Sequence, residues 1–187
     1  MLFDIFFKEL GDKFMTNNDI LRRIRYILGY DDKKMLLVFS LGGKTISTDV
    51  LIKKLKKNTE SDFLNCNDNY LAAFLNGLII NKRGKKEGLQ RPPEKKLNNN
   101  MIFTKLKIAF HLKSDDILEI FTLSDFELSL HELSSFFRKR THKNYRECKD
   151  QVLRYFLKGL QLKYRNPDAK MDKPKNSVWK SLSAQGK

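Results

Sequence analysis

A chain of 187 residues, 41% hydrophobic and 32% charged, is long enough for one or two globular domains and too apolar to be a disordered polymer. Its formal charge of +15 at neutral pH points to acidic partners such as nucleic acid, a ribonucleoprotein surface or an anionic membrane. No apolar run approaches the about 20 residues that cross a bilayer, and the N-terminal stretch, which does not open on basic residues and is broken by Asp4, does not read as a secretory leader. A cytoplasmic location is therefore expected.

Residues 1–16 precede the first periodic segment and read as an N-terminal extension. From Asn17 a segment of 68 residues begins that recurs without a gap 82 positions later, so that residues 17–84 fall on 99–166 with eighteen identities. Chance would give about one identity in 16 positions, so the segment reads as an internal duplication. The first helix of each copy is expected to begin at Asn18 or Asn100, both good N-cap types. Ile20, Leu21, Ile24, Ile27 and Leu28 follow on one face, as do Ile102, Phe103, Leu106, Ala109 and Phe110. A second helix starts near Asp32 or Ser114, and in the first copy the Gly42-Gly43-Lys44 turn closes it.

The third helix has the clearest start. Ser47 and Ser129 suit the N-cap, Ile46 with Leu51 and Leu128 with Leu133 form hydrophobic staples, and Glu132 completes a capping box with Ser129. The fourth starts near Asp68 or Asp150 and contains Gly77 or Gly159, a residue that costs about 1 kcal/mol relative to alanine inside a helix. Its recurrence predicts close helix packing. Residues 85–98, with Pro92-Pro93, form a basic linker, and residues 167–187 a flexible basic tail holding the single tryptophan, Trp179. Linker and tail each carry +3, so six of the fifteen charges lie outside the modules. The expected architecture is all-α, with two tandem four-helix modules (17–84 and 99–166) packed together, since a module this short is marginal alone.

Four strings stand out: TNNDILRRIRYIL from Thr16, FLNGLIINKRGK from Phe74, NNNMIFTKLKIAFHLKSDDILEI from Asn98 and THKNYRECKDQVLRYFLKGLQLKYR from Thr141. Over about residues 16–165 they resemble the YehS-like family of bacterial proteins, a tandem-repeat domain of unknown function. Members of that family begin near the first NNDILR element. The resemblance therefore implies that residues 1–14 are an extension, or that the true start is Met15 instead of Met1. The glycine usual after the second cysteine is Lys149 here. The resemblance carries over architecture and no functional residues.

No constellation of residues points to catalysis, so no enzyme activity, cofactor or metal is expected. Cys66 and Cys148 precede a helix start, which can activate a thiol, but neither has a matched base beside it and both read as small buried residues. His111, His131 and His142 fall on Gly29, Asp49 and Glu60 in the other copy and form no four-ligand zinc set. The second and third helices resemble a helix-turn-helix pair, yet Asp49 and Glu132 stand at the end that would face base edges.

Basic residues are the best functional candidates. Arg23/Lys105, Arg25/Lys107, Lys56/Arg138, Lys57/Lys139 and Arg83/Arg165 recur across the duplication. Repeated cations suit a phosphate backbone, which rewards them through counterion release. The expected function is thus a non-catalytic binding protein for nucleic acid or a ribonucleoprotein surface. Its contacts would come from Arg22, Arg23, Arg25, Lys56, Lys57, Lys105, Lys107, Arg138, Lys139 and Arg140. The alternative is an adaptor that recognises acidic protein partners or self-associates.

Overall fold

The computed structural model describes residues 14–85, 87–88 and 92–165. Most of the N-terminal extension, the tail and Trp179 lie outside the described residues. Each copy forms four helices: α1 Asn17–Leu28, α2 Asp32–Leu41, α3 Thr48–Leu55 and α4 Asp68–Arg83, then α5 Asn99–Ala109, α6 Ser114–Leu123, α7 Leu130–Phe136 and α8 Asp150–Arg165. No strand occurs among the described residues. The fold is all-α with duplicated modules, as the repeat predicts. Ser47 and Ser129 cap α3 and α7, and Ser129 and Glu132 close the expected capping box.

The N-caps of the first helices differ from expectation. They are Thr16 and Asn98, whose side chains accept from the amides of Asp19 and Met101. Asn18 and Asn100 sit two positions further on, buried, and their amides serve a different purpose. Asn18 Nδ2 donates to the carbonyls of Lys54 (2.8 Å) and Leu64 (3.0 Å), while its Oδ1 accepts from the Cys66 amide (2.9 Å). Asn100 repeats this with Phe136 (2.8 Å), Arg146 (2.8 Å) and Cys148 (3.0 Å). Three backbone groups that would otherwise be buried without partners outweigh one cap bond. The clamp pins the loop between the third and fourth helices onto the first.

A second repeated device ties the modules together. Asp68 accepts from Asn17 Nδ2 in its own module (2.8 Å) and from the Leu97 amide leading into α5 (2.9 Å). Asp150 accepts from Asn99 Nδ2 (2.7 Å) and from the Met15 amide leading into α1 (3.2 Å). Accordingly α4 packs broadly on α5, and α8 on α1. The first helix of each module lies against the last helix of the other, a reciprocal arrangement of the kind a twofold axis produces. The apolar residues of both modules merge into one core, from Ile20 and Phe74 to Phe103 and Leu160.

Within each module the last helix crosses the second at its glycine. A Cβ on Gly77 would lie 1.8 Å from the Val38 carbonyl oxygen, and one on Gly159 would lie 1.9 Å from that of Ile120. The glycines therefore serve helix packing. Gly77→Ala is expected to lower stability by about 2 kcal/mol in urea unfolding, because backbone overlap outweighs the gain in helix propensity. An unchanged midpoint would contradict so close a crossing.

In the α4–α5 seam, Lys105 Nζ donates to Asn76 Oδ1 (2.5 Å) and to Glu94 in the linker (2.7 Å). Burial alone would raise the Glu94 carboxyl, but hydrogen bonds from Lys105, its own backbone and Asn76, with the Lys105 charge, bring it below the usual carboxylate range. A depressed folded-state pKa stabilises the fold above the unfolded value of about 4.3 and ceases to do so as pH falls through the folded value. The stability difference between the native chain and Glu94→Gln should thus be largest near neutrality and shrink below about pH 4, as measured by urea unfolding across pH.

Candidate functional site

The ten basic residues named from the sequence do not form one surface. Arg23 and Lys105, equivalent positions, both belong to the seams between modules. The side chain of Lys105 is only 13% exposed and is committed to Asn76 and Glu94. Arg23 lies beside Arg154 of α8, and burial, followed by that neighbouring charge, pulls its guanidinium below the ordinary arginine value. Lys107 lies over the Phe137 ring at 4.4 Å. Arg138 approaches the His142 ring at 3.3 Å, and Lys139 and Arg140 are exposed after α7. Lys57 is exposed after α3, where Lys56 donates to the Ser61 carbonyl (2.8 Å).

The structure does bring Arg22 and Arg25 together, and adds a third arginine that was not among the ten. Both line a groove of about 500 Å³ with Tyr26, Gly29, Tyr30, Asp31, Leu55 and Arg165. Arg22 and Arg25 reach it from one face of α1, three residues apart, as helical geometry requires. Arg165 arrives from the end of α8, across the module boundary.

Each groove residue is held in place. Arg22 donates to the Lys56 carbonyl (2.6 Å) and pairs with Asp19. Arg25 pairs with Asp32 (2.7 Å), and its Nε donates to the Tyr30 carbonyl (3.1 Å). The Tyr30 hydroxyl accepts from Asn81 of α4 (3.1 Å), and burial raises its pKa. The Arg165 guanidinium sits 4.7 Å from the centre of the Tyr26 ring, a cation–π distance. It also lies 3.3 Å from where a Cβ on Gly29 would stand. Gly29 adopts the left-handed conformation at φ 63°, ending α1 and leaving room for that guanidinium. The lining holds three arginines, one acid, Asp31, and two aromatic rings, and Asp19 and Asp32 beside it pair with two of the arginines.

Sequence reasoning noted Arg165 only as a recurring cation and passed over Tyr26 and Tyr30. The available signal is divergence between copies: Arg22, Tyr26, Gly29, Tyr30 and Asp31 fall on Thr104, Ile108, His111, Leu112 and Lys113.

Both cysteines are buried and unbridged. Burial pushes the Cys66 thiol up to about 12; the Lys54 charge lowers it and Asp68 raises it. Cys148 is likewise pushed up to about 12 by burial, Asp150 and Glu147. Among the described residues no cluster of three or more histidine, cysteine or acidic side chains could hold a metal ion, and no helix is long and apolar enough to cross a membrane.

These features define an all-α tandem-repeat protein with a basic, tyrosine-lined groove at the junction of its modules. The chain belongs to the family described as "Protein of unknown function (DUF1456)", which it matches twice, over residues 17–84 and 99–166. It is 46% identical over 147 residues to "Uncharacterized protein YehS" of Escherichia coli (strain K12), a span covering 78% of this chain and 94% of that relative. No solved structure matches it.

A thiol held near pH 12 is protonated at neutrality and hidden from reagents. Ellman's reagent should leave Cys66 and Cys148 unmodified in the native chain and titrate both in denaturant. Rapid native labelling of either would refute the buried arrangement.

Proposed function

We propose that the chain is a non-catalytic binding protein for nucleic acid or a ribonucleoprotein surface. The observation that supports this reading best is the groove. Three guanidiniums converge there beside two tyrosines, and the backbone of Lys56 holds one of the three. Guanidiniums match phosphate oxygens in fork geometry, and aromatic rings accept base stacking worth about 1–3 kcal/mol per base. Lys56 and Lys57 after α3, and Arg138, Lys139 and Arg140 after α7, would add contacts that steer a polyanion without reading its sequence.

The reading makes a quantitative demand. If three or four phosphates are neutralised, affinity should fall by about 20- to 150-fold between ~50 and ~200 mM salt. Filter binding with RNA and with duplex DNA measures this directly. No binding at the lower salt concentration, or an affinity indifferent to salt, would remove the support.

A further inference from the structure

We propose that the groove between α1 and the end of α8 binds one nucleotide unit of a single-stranded nucleic acid, and that the duplicated chain carries one such site and not two. This rests on the nucleic-acid reading above and narrows it to a ligand form and a stoichiometry. A duplex presents its phosphates outward and keeps its bases stacked inside, so a duplex could use the arginines but not the tyrosines. A single strand offers phosphate and an open base face together. The groove supplies both partners within one cavity of about 500 Å³, in the size range of small-ligand sites.

The phosphate side is Arg22, Arg25 and Arg165. The first two are anchored to Asp19 and Asp32, so the site is formed before a ligand arrives. The base side is Tyr26, at 44% exposure, with Tyr30 fixed by Asn81. The Arg165 guanidinium, already placed on the Tyr26 ring, can stack on a base as it does on that ring.

The single-site claim comes from the repeat. At the equivalent place in the second module, Arg22 becomes Thr104, Tyr26 becomes Ile108 and Tyr30 becomes Leu112. One arginine and both rings are gone, and Lys107 lies over Phe137, so neither half of the pair of contacts survives intact. Residues that both copies need recur; these three do not, and the second copy forms the same fold without them.

The test is fluorescence anisotropy with a labelled oligothymidylate of about 12 nucleotides and a labelled duplex of the same length. Tyr26→Ala and Arg165→Gln, both at exposed positions, are each expected to weaken oligothymidylate binding about tenfold. Tyr26→Ala should leave duplex binding within about twofold, whereas Arg165→Gln, which removes a phosphate contact, should weaken the duplex as well; Lys107→Gln should leave oligomer binding within about twofold. Titration at stoichiometric concentrations should saturate at one oligomer per chain. Thermal unfolding of each variant verifies the fold, and Tyr26→Phe, which keeps the ring, should retain native affinity. Oligomer binding that survives both groove variants while still falling with salt would overturn the groove and leave the broader reading standing. Displacement of the oligomer by thymidine monophosphate at equal nucleotide concentration would overturn the strand as ligand. Absence of binding to either nucleic acid at low salt would overturn both.

Discussion

Two aspartates hold the architecture. Asp68 and Asp150 each stand at the start of the last helix of their own module, and each accepts from its own module's asparagine and from the backbone that leads into the other module. A charged acceptor makes a hydrogen bond stronger than a neutral one, about 1.5–3 kcal/mol where it is shielded from water. The position matters more than the strength, because the bond lies where one module hands its first helix to the other. With α1 on α8 and α5 on α4, neither module buries its first helix on its own last helix alone. The arrangement is that of a symmetric dimer tied into one chain. A module of 68 residues is below the size at which a single core is secure, and merging two cores answers that shortage.

Recurrence across the duplication therefore marks structure. Asn17, Asn18, Cys66 and Asp68 are identical in the second copy because each makes or receives a bond of the clamp or the inter-module tie. Gly77 recurs because the second helix leaves no room for a methyl group. Even the repeated cation at Arg23 and Lys105 lies in a seam. A repeated residue is what both halves of a fold require; a property used once is free to appear in one copy. In the groove Arg22, Tyr26 and Tyr30 follow that second pattern, while Arg25 and Arg165 have basic counterparts in Lys107 and Arg83.

The helices were readable in the sequence because their signals are local. Ser47 with Ile46 and Leu51 is a start signal complete within six residues, and it lies where α3 begins. Asn18 misled because asparagine suits a cap and a buried clamp equally well, and what separates the two is the distant carbonyls of Lys54 and Leu64. An apolar face announces that a helix is buried, not against which partner, so the exchange of first helices between modules left no periodic trace. The groove was hidden for the same reason. Arg165 lies 136 positions from Gly29, and only the seating of α8 across the end of α1 brings them together.

The two modules build their interiors from different side chains. In the second, Phe103 touches the rings of Phe121, Phe136, Phe137 and Phe156, and Phe126 packs on both Phe121 and Tyr155. In the first, Phe39 and Phe74 form the ring pair of the core, and the position of Phe136 is taken by Lys54. That lysine is buried, donates to the Asn65 carbonyl (2.8 Å) and lies over Tyr70 at 3.9 Å. Burial lowers its pKa, with Lys44 acting in the same direction from the same ring and Cys66 opposing both. Each aromatic pair contributes about 0.5–1.5 kcal/mol beyond its buried area, whereas a buried ammonium gains little over a well-packed ring. Among the described residues the second module thus draws more on ring-to-ring contacts. The two share one core and two reciprocal ties. The first module accommodates Lys54 in its interior and, on the adjoining face, carries the arginines and tyrosines of the groove.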